Sequence, residues 1–170
     1  MKKLIIASLL VIILSGCAIQ TKITAFYTED SSQRGTIAVV PANQVQKESL
    51  EFANIAKKLE DKLTQVGYTR RSGNSKPDFA ATVVYGIDGG RTILESDGTT
   101  GVEFARDIRI VIFKIGEDKP KKVYEINATS IGSCRTVTAV LPAIFNAIFE
   151  KFPPQNGVTE RRIVMWDGRC

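Results

Sequence analysis

The chain has 170 residues, 44% of them hydrophobic, and carries 23 Lys and Arg against 18 Asp and Glu with no histidine. The missing histidine removes Ser-His-Asp and Cys-His catalysis, the commonest general base, and most zinc sites. A net charge of +5 is a weak basic excess, which bears on contact with anionic surfaces rather than on fold.

The chain opens Met1-Lys2-Lys3, continues through an apolar run from Leu4 to Leu14, and reaches Leu14-Ser15-Gly16-Cys17. A basic start, a short apolar core and small residues before a cut site are the parts of a secretory signal. The apolar run is about half the ~20 residues that a helix needs to cross a bilayer. Leu14-Ser15-Gly16-Cys17 resembles a lipobox, a branched residue and two small ones before a cysteine. The resemblance implies a bacterial lipoprotein whose Cys17 thiol takes a diacylglycerol and whose acyl chains hold it to a membrane. Ala18 and Ile19 follow the cysteine where Asp would imply retention on the inner membrane, so the resemblance implies an outer-membrane anchor facing the periplasm. An ordinary cleaved signal with Cys17 incidental, and an uncleaved anchor, are the competing readings. Residues 1–16 are then a signal peptide, 17–34 the lipidated cysteine and a tether, and 35–170 a single domain. Loss of Lys2 and Lys3 lowers the charge to +3 (21 basic residues against 18 acidic). An exported domain meets no nucleic acid, so the expected partners are the membrane and an envelope protein or glycan.

In chain order, Ile23 to Tyr27 is one β-like patch in the tether, with room for an edge strand. Gly35 to Pro41 is a short apolar, β-branched run that predicts a buried strand. A helix is predicted from Val45 to Val66, with Phe52, Ile55, Ala56, Leu59, Leu63 and Val66 on one face and Gly67 as its stop. Phe79, Ala81, Val83, Tyr85 and Ile87 alternate as a half-buried strand. Gly89-Gly90 marks a bulge before Arg91 to Leu94, and Asp97-Gly98 a hairpin turn. Val102 to Ile115 returns with apolar residues on both faces around Arg109, which predicts a central strand. Gly116 to Pro120 turns into Lys122 to Ile131, where Tyr124, Ile126 and Ala128 share a face. A second helix covers Ala139 to Phe152, with Thr138 as N-cap so that Pro142 falls in the first turn. Gly157 to Trp166 is the last strand, with Val158, Val164 and Trp166 on one face. The order β-α-β-β-β-α-β predicts an α+β fold: a two-layer sandwich, mostly antiparallel, with two helices on one face of the sheet.

Little catalytic chemistry remains. The acids Glu48, Glu51, Glu60 and Asp61 fall on a helix surface, and Asp88, Asp97 and Asp118 beside turns, so no catalytic residue is expected. The glycine-rich run Gly86 to Arg91 opens no helix and lacks the Lys-Ser/Thr of a phosphate loop, and the Asp88–Asp97 spacing does not fit a calcium loop. Neither metal nor cofactor is expected. Arg106, Arg109, Arg161 and Arg162 are read either as an anion- or partner-binding stripe or as scattered solvated charges. Trp166 is read as a core residue or as a partner anchor. Cys134 and Cys170 are an even pair in an oxidising compartment, the setting of a disulfide. Bridging them requires the strands ending near Ile131 and Trp166 to finish at the same sheet edge, hence to run parallel, with the second helix as crossover.

The stretch Gly35 to Asp88 carries a second resemblance: Ile37-Ala38-Val39-Val40-Pro41, a helix with Leu59 and Leu63, Gly67-Tyr68, then Pro77-Asp78-Phe79-Ala80 into a strand. It looks like small envelope lipoproteins of uncharacterised families. More distantly it is similar to βαβ modules of periplasmic assembly proteins: the amino-terminal domain of the Tol–Pal periplasmic protein, the curli secretion lipoprotein and lipoprotein activators of cell-wall synthases. Those proteins act by binding, so the resemblance implies a non-enzymatic assembly or accessory role. The alternatives are an envelope enzyme using carboxylates or a Ser-Lys pair, and a carrier of an amphiphilic ligand.

Overall fold

The computed structural model describes residues 17–116, 119–166 and 170. The signal segment 1–16 and part of the turn Gly116 to Pro120 lie outside the described residues. Strand β1 spans Cys17–Tyr27 and alternates strictly: Ile19, Thr21, Ile23 and Ala25 are buried, while Ala18, Gln20, Lys22 and Phe26 are exposed. The tether expected from 17 to 34 is therefore, over its first eleven positions, a strand. It lies inside the sheet rather than at its edge, hydrogen-bonded on both sides. A period-two apolar pattern buries itself on one face wherever the neighbouring strands offer one; here both do.

The remaining strands are β2 (Thr36–Val39), β3 (Thr69–Arg70), β4 (Phe79–Ile87), β5 (Arg91–Leu94), β6 (Thr100–Lys114), β7 (Lys121–Gly132) and β8 (Thr159–Trp166). With β1 they form one sheet of eight strands in the order β3-β2-β4-β6-β7-β1-β8, with β5 paired to β6. Only β2 runs parallel to its neighbours β3 and β4; every other pairing is antiparallel. Since β7 and β8 are both antiparallel to β1, they are parallel to each other, with β1 inserted between them. The strands β2 to β7 are neighbours within the continuous stretch 36–132, through one helical crossover and successive antiparallel returns, whereas β1 fills its slot from the far end of the chain.

The predicted 45–66 helix is two: α1 (Gln44–Lys47) and α2 (Leu50–Gln65). Polar caps explain the break. The Asn43 side chain accepts from the Gln46 amide at 3.0 Å, and Ser49 Oγ accepts from the Phe52 amide at 3.2 Å. Each satisfies a donor that a helix start leaves free. Val45 and Leu50, near those starts, are exposed. At the other end Gly67 takes a left-handed φ of 98°. Its amide and that of Tyr68 return to the Thr64 and Leu63 carbonyls, which ends α2.

Helix α3 runs Val137–Phe149 with Thr136, not Thr138, at the N-cap position. Pro142 is thus the sixth residue, two positions deeper than expected. Its lost hydrogen bond is offset by burial of Val140, Leu141, Ile144, Phe145, Ile148 and Phe149. Val158 precedes β8 and is exposed, whereas Val164 and Trp166 pack against the core.

One core takes in both long helices and alternate residues of the strands. Helix α2 packs on β2, β3 and α3; α3 packs on β8, β1, β4 and β7. The βαβ step from β2 to β4 is tied at its open end by Asp78, whose carboxylate accepts from the Thr36 amide (2.8 Å) and hydroxyl (2.7 Å). A Cβ at Gly35 would lie 2.7 Å from that carboxylate oxygen, which is why glycine stands there.

Candidate binding surface

Arg106, Arg109, Arg161 and Arg162 do not share a face, so they form no single stripe. Register sets Arg106 opposite Ser130, Ser130 opposite Thr21 and Thr21 opposite Arg162. These four make one row across β6, β7, β1 and β8, and all four are buried on the core side. Arg109 and Arg161 sit on alternate positions and are exposed on the other face. The stripe is corrected on that point: the side-chain period of a strand is two, so Arg161 and its neighbour Arg162 must point opposite ways.

Both buried arginines are occupied by backbone. Arg106 donates Nε to the Cys134 carbonyl at 3.0 Å and Nη2 to the Gly132 carbonyl at 2.9 Å. It thereby holds the exit of β7. Burial pulls its pKa below the ordinary arginine value, against the charge of Asp88, and the group still stays protonated. Arg162 donates Nη1 to the Ala147 and Ile148 carbonyls at 2.8 and 3.0 Å, and Nη2 to Glu160 at 2.6 Å. Those carbonyls are in the last turn of α3, where unpaired acceptors and the negative end of the helix dipole favour a cation. Between them, Thr21 Oγ1 and Ser130 Oγ are buried with no hydrogen-bond partner among the described residues. An orphan buried hydroxyl costs more than its removal. Thr21→Val is expected to stabilise the fold by about 1 kcal/mol, raising the thermal midpoint by about 2–4 °C. Differential scanning calorimetry of the variant checks this, and a lowered midpoint would mean that the hydroxyl is bonded.

The outward face carries the accessible chemistry. Arg109 pairs with Glu125, as does Lys122 at 2.7 Å. The Lys122 hydrogen bond and the nearby Arg109 hold the Glu125 carboxyl below the usual carboxylate range, the reverse of what a general acid needs. Asp107 accepts from the Thr129 hydroxyl at 2.7 Å. A shallow cleft of about 450 Å³ lies here, lined by Val84, Gly86, Asp107, Arg109, Asn127 and Thr129 among others. Among the described residues, no group of three or more His, Cys, Asp or Glu could hold a metal ion.

At one end of the sheet, Cys17 pairs with Trp166 and Ala18 with Met165. A second pocket of about 130 Å³ opens there, lined by Ile19, Arg106, Cys134, Val140, Trp166 and Cys170 among others. Trp166 is half-buried against the core. The Cα atoms of Cys134 and Cys170 are 5.4 Å apart at this end, joined as a disulfide. Exposed Ile163 and Met165 stand on the outward side of β8, beside Ala18 and Gln20. The alternation Arg161-x-Ile163-x-Met165 was visible in the chain; which face it would occupy was not.

No protein-family model and no curated protein matches the chain. Among solved structures, a PDZ domain protein from Parabacteroides distasonis is similar over 88% of this chain, with 14% identity and a TM-score of 0.53. The chain spans 40% of that protein's length. The PelC dodecamer from Paraburkholderia phytofirmans is matched over 78% of this chain and 95% of its own, at 9% identity and a TM-score of 0.37. A hypothetical protein from Chlamydia trachomatis is matched over 57% of this chain and 70% of its own, at 11% identity and a TM-score of 0.34. The first likeness concerns fold alone: an α+β chain with one eight-stranded sheet and three helices.

Proposed function

We infer that the chain is the precursor of a non-enzymatic, lipid-anchored periplasmic domain of the outer membrane that binds another envelope component. The observation that carries this reading is the sequence itself: a basic start, a short apolar run and Leu14-Ser15-Gly16-Cys17, followed by a strand that is already paired at Cys17. An export signal followed at once by a domain with its own core is the layout of a lipoprotein, and Cys17 is the residue that takes the lipid. In this reading α2 and α3 lie together on one face of the sheet as a two-layer sandwich, which their shared core and mutual packing support. The other face is then left free for contacts.

The cleft beside Arg109 suits a docked envelope protein or glycan better than a reaction. Its lining carboxylate, Asp107, is tied to the Thr129 hydroxyl, and Glu125 beside it is paired with Arg109 and Lys122. The domain works without cofactor or metal, and nucleic acid has no part in it.

Cys17→Ser is the test. The variant is expected to lose lipidation and to move from the membrane fraction to the soluble fraction on cell fractionation. A processed variant that stays in the membrane pellet would sink the lipoprotein reading.

A further inference from the structure

We propose that the outward margin of β1 and β8 is a membrane-docking strip, so that the domain lies face-down on a bilayer with anionic headgroups instead of swinging on a tether. The proposal rests on the lipoprotein reading and adds an orientation to it.

Three observations lead there. First, β1 begins at Cys17 and is paired from its first residue, Cys17 with Trp166. A lipid on that cysteine leaves no spacer between bilayer and sheet, so some part of the sheet must touch the headgroups.

Second, the strands cannot stand upright on the bilayer. Through the register of β1, β7 and β6, Cys17 lies level with Val102. The β5–β6 hairpin continues past that level to a turn at Asp97-Gly98, on the order of 15 Å further at ~3.3 Å per residue. Past that level it carries Glu95 and Asp97. An upright stance would drive those carboxylates into hydrocarbon, where charge is costly.

Third, the outward positions next to the anchor have the composition a headgroup layer favours. On β8 they include the exposed Ile163 and Met165, 64% and 66% accessible, while Phe26, also exposed, stands at the opposite end of β1. They also include Lys22 and Arg161, cross-strand neighbours, and no acid. Apolar tips that enter the interface beside cations that meet lipid phosphates form the usual interfacial pairing, each cation favouring an anionic surface. Tilting onto this margin lifts the acidic hairpin clear, while the cleft at Arg109, whose Thr129 is the cross-strand neighbour of Lys22, borders the headgroup layer.

The test uses the mature lipidated protein in vesicles of phosphatidylethanolamine and phosphatidylglycerol. An environment-sensitive fluorophore is placed through Ile163→Cys or Met165→Cys, and through Lys58→Cys on the exposed side of α2 as reference. These sites are exposed, so the fold tolerates them. The expected result is blue-shifted emission and quenching by lipid-borne nitroxide at 163 and 165, with neither at 58. Lys22→Gln combined with Arg161→Gln should weaken that quenching. Intact mass is read on the same samples. Full lipidation with water-like emission at 163 and 165, or crosslinking of those labels to a protein or a second copy, overturns the docking strip and leaves the anchor standing. A mass without acyl chains overturns the anchor reading itself and the strip with it.

Discussion

Reducing the bridge between Cys134 and Cys170 is expected to cost about 4 kcal/mol of stability. The two Cα atoms are 5.4 Å apart, inside the range that a disulfide spans without moving backbone. Their sequence separation is 36, and closing a loop of that length removes about 4 kcal/mol of denatured-state entropy in the chain-entropy treatment. The topology brings them together: β7 and β8 run parallel on either side of β1, and α3 carries the chain back across the core. Arg106 supports the same corner by holding the Cys134 carbonyl. The check has two parts. Alkylation and mass spectrometry of the exported protein should show both thiols protected until reductant is added. Urea unfolding should then show a lower midpoint for the reduced form. Both thiols alkylating without reductant would contradict the bridge.

Leu63→Ala should be nearly as severe, with a loss of about 2–5 kcal/mol and a fall in thermal midpoint of roughly 4–20 °C. Leu63 is completely buried in the last turn of α2, in one cluster with Ile37, Leu59, Phe79 and Ile112. Its truncation forfeits the burial of three carbons and leaves a cavity that rigid strands on one side cannot close. Leu50→Ala is the matched control: the same side chain, 85% exposed at the start of α2, expected to change stability by less than about 0.5 kcal/mol. Thermal unfolding of both variants by circular dichroism measures the difference. An unchanged midpoint for Leu63→Ala would mean that the stripe from Phe52 to Leu63 faces solvent and is available to a partner.

What the sequence showed and what it hid follow from local and non-local physics. The strands β4, β6 and β7 were legible because strict alternation or a doubly apolar run survives without context, and β6 does lie between β4 and β7 near the sheet centre. The stripe of α2 was legible for the same reason, at a period of 3.6. The break at Glu48-Ser49 was not: Asn43 and Ser49 are both cap residues, and only packing decides which caps act. Helix α3 begins two residues before the position that a first-turn Pro142 predicts, because burial of its apolar face lets the packed helix hold proline deeper. The largest miss was β1. Its core-side positions Ile19, Thr21, Ile23 and Ala25 alternate, but Thr21 interrupts the apolar series and Gln20 and Lys22 make the segment read as linker. Its place inside the sheet, next to edge strand β8, depends on pairing with β7 and β8, about a hundred residues or more away, which no local pattern encodes. The site divided in the same manner. Arg106 and Arg162 could be suspected of facing the core from the parity of their strands, since Ile108 and Ile110 share the face of Arg106. That they cross the sheet in a single row with Ser130 and Thr21 follows only from register.

The account turns on Cys17 as the lipid-bearing first residue of the mature protein, and the intact mass of the protein extracted from membranes tests that most directly. The expected mass is that of residues 17–170 plus a thioether-linked diacylglycerol and an amide-linked acyl chain, with the additions confined to the N-terminal peptide that begins at Cys17. A mature chain with a free thiol at Cys17, or one that keeps residues 1–16, would contradict it.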